Sequence, residues 1–170
     1  MALIVTVETG ALIANANSYV STLTIDAWVL TNPHDSTWSA LTQAQKDGYA
    51  VMSYRVLNEQ MDWDGWQTSK TQSLDLPRSG MVDKNGNPID AYEIPGEVQD
   101  AQCELARLLA IEDRTADSGT SGFKEISVGS IKLVIDRTDR PVVMPPAVWN
   151  MVKPFGIKAT SKGTATTVRI

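Results

Sequence analysis

The sequence predicts a mainly helical α+β protein: a small helical bundle with a C-terminal β-hairpin and an extended C-terminal arm. Apolar residues recur every three or four positions over about 42–61 and 95–112, as they do in amphipathic helices. The period changes to two over about 123–136, which is typical of a hairpin. Residues 156–170 show no helical stripe. We therefore expect one domain over residues 1–153 and an arm over 154–170.

The first long helix begins at a capping box. Thr42 and Gln45 have the spacing at which a hydroxyl and an amide satisfy the free N–H groups of a helix start. Its predicted buried stripe is Ala50, Val51, Tyr54, Leu57 and Met61. We expect the helix to end at Gln60 or Met61, because Gly65 soon relaxes the backbone.

The second long helix is predicted to open at Pro95, whose missing N–H costs nothing in a first helical turn. Its predicted buried stripe is Val98, Ala101, Leu105, Leu108 and Leu109. Shorter helices are predicted over 24–30, with Ser21 or Thr24 as the cap, and over 147–153.

The hairpin pattern predicts its own register. Gly129-Ser130 fits a two-residue type II′ loop, in which Val128 faces Ile131 and Ile126 faces Leu133. An isolated hairpin is marginal in water, so this apolar face must dock on the helices or on another subunit.

The charges are distributed unevenly. The chain has 20 carboxylates against 15 Lys and Arg, a net charge of -5. Residues 1–140 carry -9 and residues 141–170 carry +4. A basic end of this kind is typical of a solvated terminus or an interaction arm. Its Thr and β-branched residues would allow the arm to add as an extended strand along a partner.

Composition offers little for catalysis. One His and one Cys exclude an internal disulfide and a Cys/His zinc site, and we expect no cofactor, no metal and no enzyme activity. No apolar run reaches the ~20 residues that span a bilayer, and the first residues lack the charged start of a secretory signal. We expect a soluble protein made in the cytosol.

Three candidate reactive sites have simpler interpretations. His34, next to Asp35, is expected to be an exposed loop residue rather than a catalytic base. Cys103 lies in mid-helix, which favours a small, inert, semi-buried thiol. Asp83, with Asn85 and Gly86 after it, favours a tight turn rather than a calcium loop.

Four of the five tryptophans, Trp28, Trp38, Trp63 and Trp66, lie in the N-terminal half, with Trp149 near the end. Such rings could stack on the bases of single-stranded DNA. They could equally form a core or interface cluster whose indole N–H groups find partners. Because the segment that carries most of them has a net charge of -9, we favour the second interpretation.

Several motifs in order resemble the head–tail connector proteins of tailed phages, whose members are often labelled DnaT-like single-stranded DNA-binding proteins. The matching segments are Ala16-Asn17-Ser18-Tyr19-Val20-Ser21, Asp26-Ala27-Trp28, Trp38-x-x-Leu41, Leu76-Pro77-Arg78-Ser79-Gly80, Ile94-Pro95-x-x-Val98-x-x-Ala101-x-Cys103-Glu104-Leu105-Ala106, Val128-Gly129 and Pro146-Ala147-Val148. The resemblance covers about residues 1–153.

The resemblance implies a structural virion protein, made in the host bacterial cytoplasm, that forms a ring of twelve copies beneath the portal. Its partners would be the portal protein, neighbouring copies and a neck (stopper) or tail-terminator protein; packaged DNA would pass through without sequence-specific binding, and no membrane would be involved. As hypotheses, we assign portal binding to Lys153, Lys158, Lys162, Arg169 and Ile170. We assign the subunit interface to Ile126, Val128, Ile131, Leu133 and Arg78.

Two other functions stay open at this point. One is a single-stranded DNA-binding protein of replication, and the other is a small hydrolase centred on His34 or Cys103. For the connector, we expect that deletion of 155–170 leaves folding intact and weakens attachment to portal rings.

Overall fold

A computed structural model of the chain describes residues 3–116, 125–128, 131–134 and 142–159, with only the backbone described for the two four-residue segments. The helices are α1 (Thr22–Val29), α2 (Gln43–Glu59), α3 (Gly96–Ile111) and α4 (Pro146–Val152), with 3-10 turns at Trp38–Ala40 and Lys153–Phe155. The strands are β1 (Met61–Trp63), β2 (Trp66–Gln67), β3 (Arg78–Ser79), β4 (Glu125–Val128), β5 (Ile131–Val134) and β6 (Gly156–Lys158). The protein is a mainly helical α+β protein, as predicted.

The helix starts follow from their caps. Ser21 caps α1 by accepting the N–H of Thr24, and Thr42 and Gln45 form the predicted capping box of α2. The second long helix, α3, begins just after Pro95, as predicted. The end of α2 differs from the prediction, because Met61 leaves the helix to begin β1.

The core forms where α3 packs against the other three helices. The predicted stripe of α3 is buried at Val98, Ala101, Leu105 and Leu109, while Leu108 is only half-buried. In α2, Ala50 and Leu57 are buried as predicted. Ser53 and Val56 are also buried, whereas Val51 and Tyr54, which were predicted to be buried, are only half-buried. A smaller second cluster joins α1 to Trp38 and Cys103.

Three two-stranded antiparallel sheets complete the described structure. In the hairpin β4–β5, Val128 pairs with Ile131 and Ile126 pairs with Leu133, which confirms the predicted register. The loop Gly129-Ser130 lies outside the described residues. Strand β2 pairs with β3, and β1 pairs with β6.

The pairing of β1 with β6 changes where the folded domain ends. Phe155 is 1% exposed within the main core, and residues 156–158 pair with β1. Gly156 passes so close to β1 that a Cβ there would overlap the carbonyl oxygen of Asp62. Residues 154–159 therefore pack with the body, and from this packing we expect a deletion from residue 155 to destabilise the fold rather than leave it intact. Lys162, Arg169 and Ile170 lie outside the described residues.

The long segment between β2 and α3 is held by its own buried side chains. Leu74, Leu76 and Met81 are buried, and the Leu76-Pro77 peptide bond is cis. At Asp83 the predicted turn is confirmed: its carboxylate accepts the N–H groups of Asn85 and Asn87 at 2.8 Å. Within the described parts of the chain, no helix is long and apolar enough to cross a membrane.

Candidate interaction surfaces

A buried polar cluster fixes the N-terminal segment onto the helices. The side-chain oxygen of Gln102 accepts the N–H of Tyr19 at 2.9 Å, and its amide nitrogen donates to the hydroxyl of Ser18 and the carbonyl of Ala50. All three Gln102 bonds are buried, so they hold α3, α2 and the segment before α1 in one arrangement. The Ser18-Tyr19 motif is thus part of the framework.

Arg107, a buried residue of α3, organises a second polar cluster. Its guanidinium donates to Asp35 at 3.1 Å and to both oxygens of Glu104, at 2.6 and 3.0 Å. Burial raises the pKa of Asp35, but hydrogen bonds from Arg107 and from the backbone N–H groups of Thr37 and Trp38 outweigh it and lower that pKa overall. Asp35 is therefore one partner of a structural ion pair with Arg107.

The two residues suggested for hydrolytic chemistry lie in environments that favour structural roles. His34 is exposed, as predicted. Its neighbour Asp35 accepts a hydrogen bond from Arg107 rather than from His34. Cys103 is buried, and burial, with Asp100 and Glu104 nearby, raises its pKa to about 12. A thiol with that pKa is protonated at neutral pH and is a poor nucleophile. Among the described residues, no group of three or more His, Cys, Asp or Glu is placed to hold a metal ion.

Three tryptophans have structural roles within the protein. Trp38 and Trp63 are 2% and 8% exposed, and their indole N–H groups donate to Asp26 and Asn58. The half-buried Trp28 donates to Glu104. Trp63 lies in the main core and Trp38 in the second cluster, against which Trp28 packs, so all three rings have the structural roles that the charge pattern favoured.

Trp66 is different, because it is 65% exposed on the β2–β3 pair. Its ring lies over Gly80, which has a φ of 82°, and a Cβ at Gly80 would come within 2.6 Å of the ring. Arg78 fixes the preceding loop by donating to the carbonyls of Asp64 and Gly65, each at 2.7 Å. The Pro-Arg-Ser-Gly motif therefore builds a platform for Trp66, and Arg78 has a role within the chain.

A stripe of exposed apolar side chains follows α1. Leu23 and Leu30 are 77% and 85% exposed, and Ala27 lies between them on the same face. We call Leu23, Ala27 and Leu30 the α1 stripe. The sequence did not reveal this stripe. Leu23, Ala27 and Leu30 have the i, i+4, i+7 spacing of one helix face, but Ile25 and Val29 also share a face, and the sequence alone does not show which face is buried.

The described part of the basic end carries Lys153 and Lys158, both exposed. Lys153 donates to Asn150 at 3.2 Å, and the ammonium of Lys158 lies 5.0 Å from the ring centre of Trp149. They lie on successive elements, the 3-10 turn and β6.

Comparison with known proteins gives one family. The model of the family described as "Putative DnaT-like ssDNA binding protein" matches residues 1–170, and the chain therefore belongs to this family. Searches of curated proteins and of solved structures gave no match. The match agrees with the DnaT-like label expected from the motifs. Its description corresponds to the single-stranded DNA-binding alternative more directly than to a connector.

Proposed function

We propose that the protein is an assembly adaptor of the head–tail connector in a tailed phage, present in the virion and made in the host cytoplasm. It would contact the portal protein, further copies of itself and a neck or tail-terminator protein, and perform no catalysis. The motifs that resemble connector proteins support this role, since they run in order through the folded body.

The observation that carries the proposal is the contrast between the charge and the apolar surface of the body. Residues 3–116 hold 16 Asp and Glu against 7 Lys and Arg, which is unfavourable for binding phosphate. The same body exposes Leu23, Leu30 and Trp66. Exposed apolar side chains on an acidic body suit protein partners, and Trp is one of the residue types that contribute most of the binding energy in protein interfaces.

Cosedimentation with purified portal rings tests the proposal. We expect the full chain to pellet with the rings, and the double variant Lys153→Ala with Lys158→Ala to pellet less. A variant at an exposed lysine elsewhere, Lys70→Ala, is the matched control and should pellet like the parent. Failure of the parent chain to bind portal rings would overturn the proposal.

Single-stranded DNA binding is the second candidate, and two observations favour it: the family description and the exposed ring of Trp66. If it is correct, an oligonucleotide added at low salt quenches Trp fluorescence, and Trp66→Ala removes most of the quenching. Binding would also weaken steeply as salt is raised. We expect no quenching, since residues 3–116 are acidic; salt-dependent quenching by Trp66 would favour this candidate over the adaptor.

A further inference from the structure

We infer that Trp66 of one copy of the chain inserts into a cleft at the end of α1 on a second copy. The inference rests on the proposed function in one respect only, that copies of the protein touch one another. It adds the side chain that anchors the contact and the cleft that receives it.

Trp66 has the properties of an interface anchor. It is 65% exposed, and its ring rests on Gly80, where any side chain would collide with it. The indole N–H groups of the other three tryptophans in the N-terminal half donate within the chain, whereas that of Trp66 has no acceptor among the described residues. A ring already held in place loses little freedom on binding, and Trp is prominent among the residues that dominate protein interfaces.

A cleft of about 310 Å³ lies at the C-terminal end of α1. Its apolar walls come from Val29, Leu30, Pro33 and Trp38, and we call it the Leu30 cleft. Leu30 is 85% exposed, so this wall is not covered by the described parts of its own chain. The volume is at the lower limit of the range of about 300–1,000 Å³ for small-molecule sites, which suits one large side chain.

The charges that line the Leu30 cleft favour a neutral donor over a cation. Asp26 pairs with Lys46 at 2.7 Å, and both residues line the cleft. The Asp35 side chain is 2% exposed, and its oxygens accept from Thr37 and Arg107. A lysine or arginine of the basic tail would lie beside the ammonium of Lys46, which repels it.

Asp26 also offers an acceptor for an indole. Its hydrogen bonds from Lys46 and from Trp38 both go to Oδ1. The other oxygen, Oδ2, accepts none from the described residues, and the side chain is 33% exposed. Because a carboxylate accepts several hydrogen bonds, Asp26 can take the N–H of an incoming indole without releasing Lys46. The donor of Trp66 and the Oδ2 of Asp26 are therefore complementary.

The placement of Trp66 favours a second copy over the same chain. Its ring rests on Gly80 and does not line the Leu30 cleft. To reach the cleft of its own chain, the ring would have to leave Gly80 and the pairing of β2 with β3. A second copy can bring the ring to the cleft with both surfaces unchanged. Because the ring and the cleft are different surfaces, the contact is heterologous, the kind that closes into a ring or grows into a filament.

Analytical ultracentrifugation of single variants tests both surfaces. Trp66→Ala should raise the self-association Kd at least about thirtyfold, as for an interface anchor. Tyr92→Ala removes another exposed aromatic ring and should leave the Kd unchanged. Leu30→Arg should act as strongly as Trp66→Ala, since it places a charge beside Lys46. Leu23→Arg, at an exposed position of the same helix outside the cleft, is its control and should change the Kd less than about threefold.

Mixing the Trp66→Ala and Leu30→Arg chains tests the pairing of the two surfaces. Each chain alone lacks one surface, but Trp66 of the Leu30→Arg chain can still enter the intact cleft of the Trp66→Ala chain. We expect 1:1 complexes that grow no further, because both remaining surfaces are defective. Circular dichroism should show that both variants keep the fold of the parent.

Three results would overturn the inference. They are a parent chain that stays monomeric up to about 1 mM, a Trp66→Ala or Leu30→Arg chain that associates like the parent, and a mixture as monomeric as its components. Leu30 is exposed on α1, so its substitution tests the contact even where Trp66→Ala disturbs the β2–β3 pair. All of these measurements use copies of this chain alone, so they succeed or fail independently of portal binding.

Discussion

Gln102 shows how one buried polar residue determines the position of a whole segment. It bonds to Tyr19, Ser18 and Ala50, which are 83, 84 and 52 residues away in the sequence. A buried amide of this kind is costly to leave without partners, and here the partners come from two distant segments, Ser18-Tyr19 and Ala50. The N-terminal segment is thereby fixed beside α3 in one register.

Replacing Gln102 by Leu should therefore destabilise the protein by about 2–3 kcal/mol, because the N–H of Tyr19 loses its acceptor inside the core. Urea unfolding followed by Trp fluorescence measures the loss. Gln99→Leu, three residues earlier on the same helix and half-buried, is the control and should change stability by less than about 0.5 kcal/mol. Equal effects of the two substitutions would contradict this role of Gln102.

Asp35 gives a prediction for pH. Its pKa is lowered in the folded protein, so its contribution to stability is present above the unfolded value of about 3.9 and is lost as the pH falls through the folded value. Asp35→Asn should therefore be less stable than the parent at pH 7, and the difference should shrink at pH 3. Urea unfolding at both pH values tests this. A difference independent of pH would show that Asp35 acts through packing alone.

Local residue chemistry was predictable where short-range geometry decides it. The turn at Asp83 could be predicted from the residues next to it in the sequence. The inert thiol of Cys103 could be predicted from its position in the middle of a helix. The role of Gln102 was not predictable, because Gln is common on exposed helix faces and its partners lie more than 50 residues away. The intrachain role of Arg78, which was assigned to a subunit interface, was hidden for another reason: its acceptors are the backbone carbonyls of Asp64 and Gly65, which leave no mark in the sequence.

Among the elements, α2 depends on its first turn, where Thr42 and Gln45 exchange hydrogen bonds with each other's backbone. Thr42→Ala should cost about 1 kcal/mol, since it leaves an end N–H of the helix without an acceptor. Thr42→Ser keeps the hydroxyl and should restore most of the stability. Thermal unfolding of the three proteins measures the effect, and an Ala variant as stable as the Ser variant would show that the cap contributes nothing.

Helices and the hairpin register were predictable because caps and apolar spacing are local signals. The strands β1, β2, β3 and β6 were not, since each has only two or three residues and too short a run to show a period. They form because distant segments meet, as Met61 does with Lys158. That pairing also ended α2 earlier than its apolar stripe suggested.

For the whole molecule, the last described residues set the boundary of the fold. A chain ending at Ala159 keeps Phe155 and β6 and should unfold at the temperature of the parent. A chain ending at Pro154 loses the buried Phe155 ring and should lose at least about 3 kcal/mol. Thermal and urea unfolding distinguish them. If the shorter chain were as stable as the longer one, β6 would be dispensable to the fold.

The interaction surfaces could be predicted only in part. Charge separation along the chain was visible from composition, and the apolar face of the hairpin followed from its period. The α1 stripe and the Trp66 platform required the structure, because exposure depends on which side of each element the core takes. Trp63 and Trp66 are three residues apart, yet one is buried and one is exposed.

The hydrogen bond between Arg114 and Val142 has a consequence for how related chains can differ. Arg114 donates to the carbonyl of Val142 at 3.5 Å, so contacts of the described body bring together the points after which and before which residues 117–141 stand in the sequence. Doubling the length of a flexible loop costs only about 0.6 kcal/mol of chain entropy. Insertions between Arg114 and Val142 should therefore leave the four-helix core in place, and we expect related chains to vary in length mainly there.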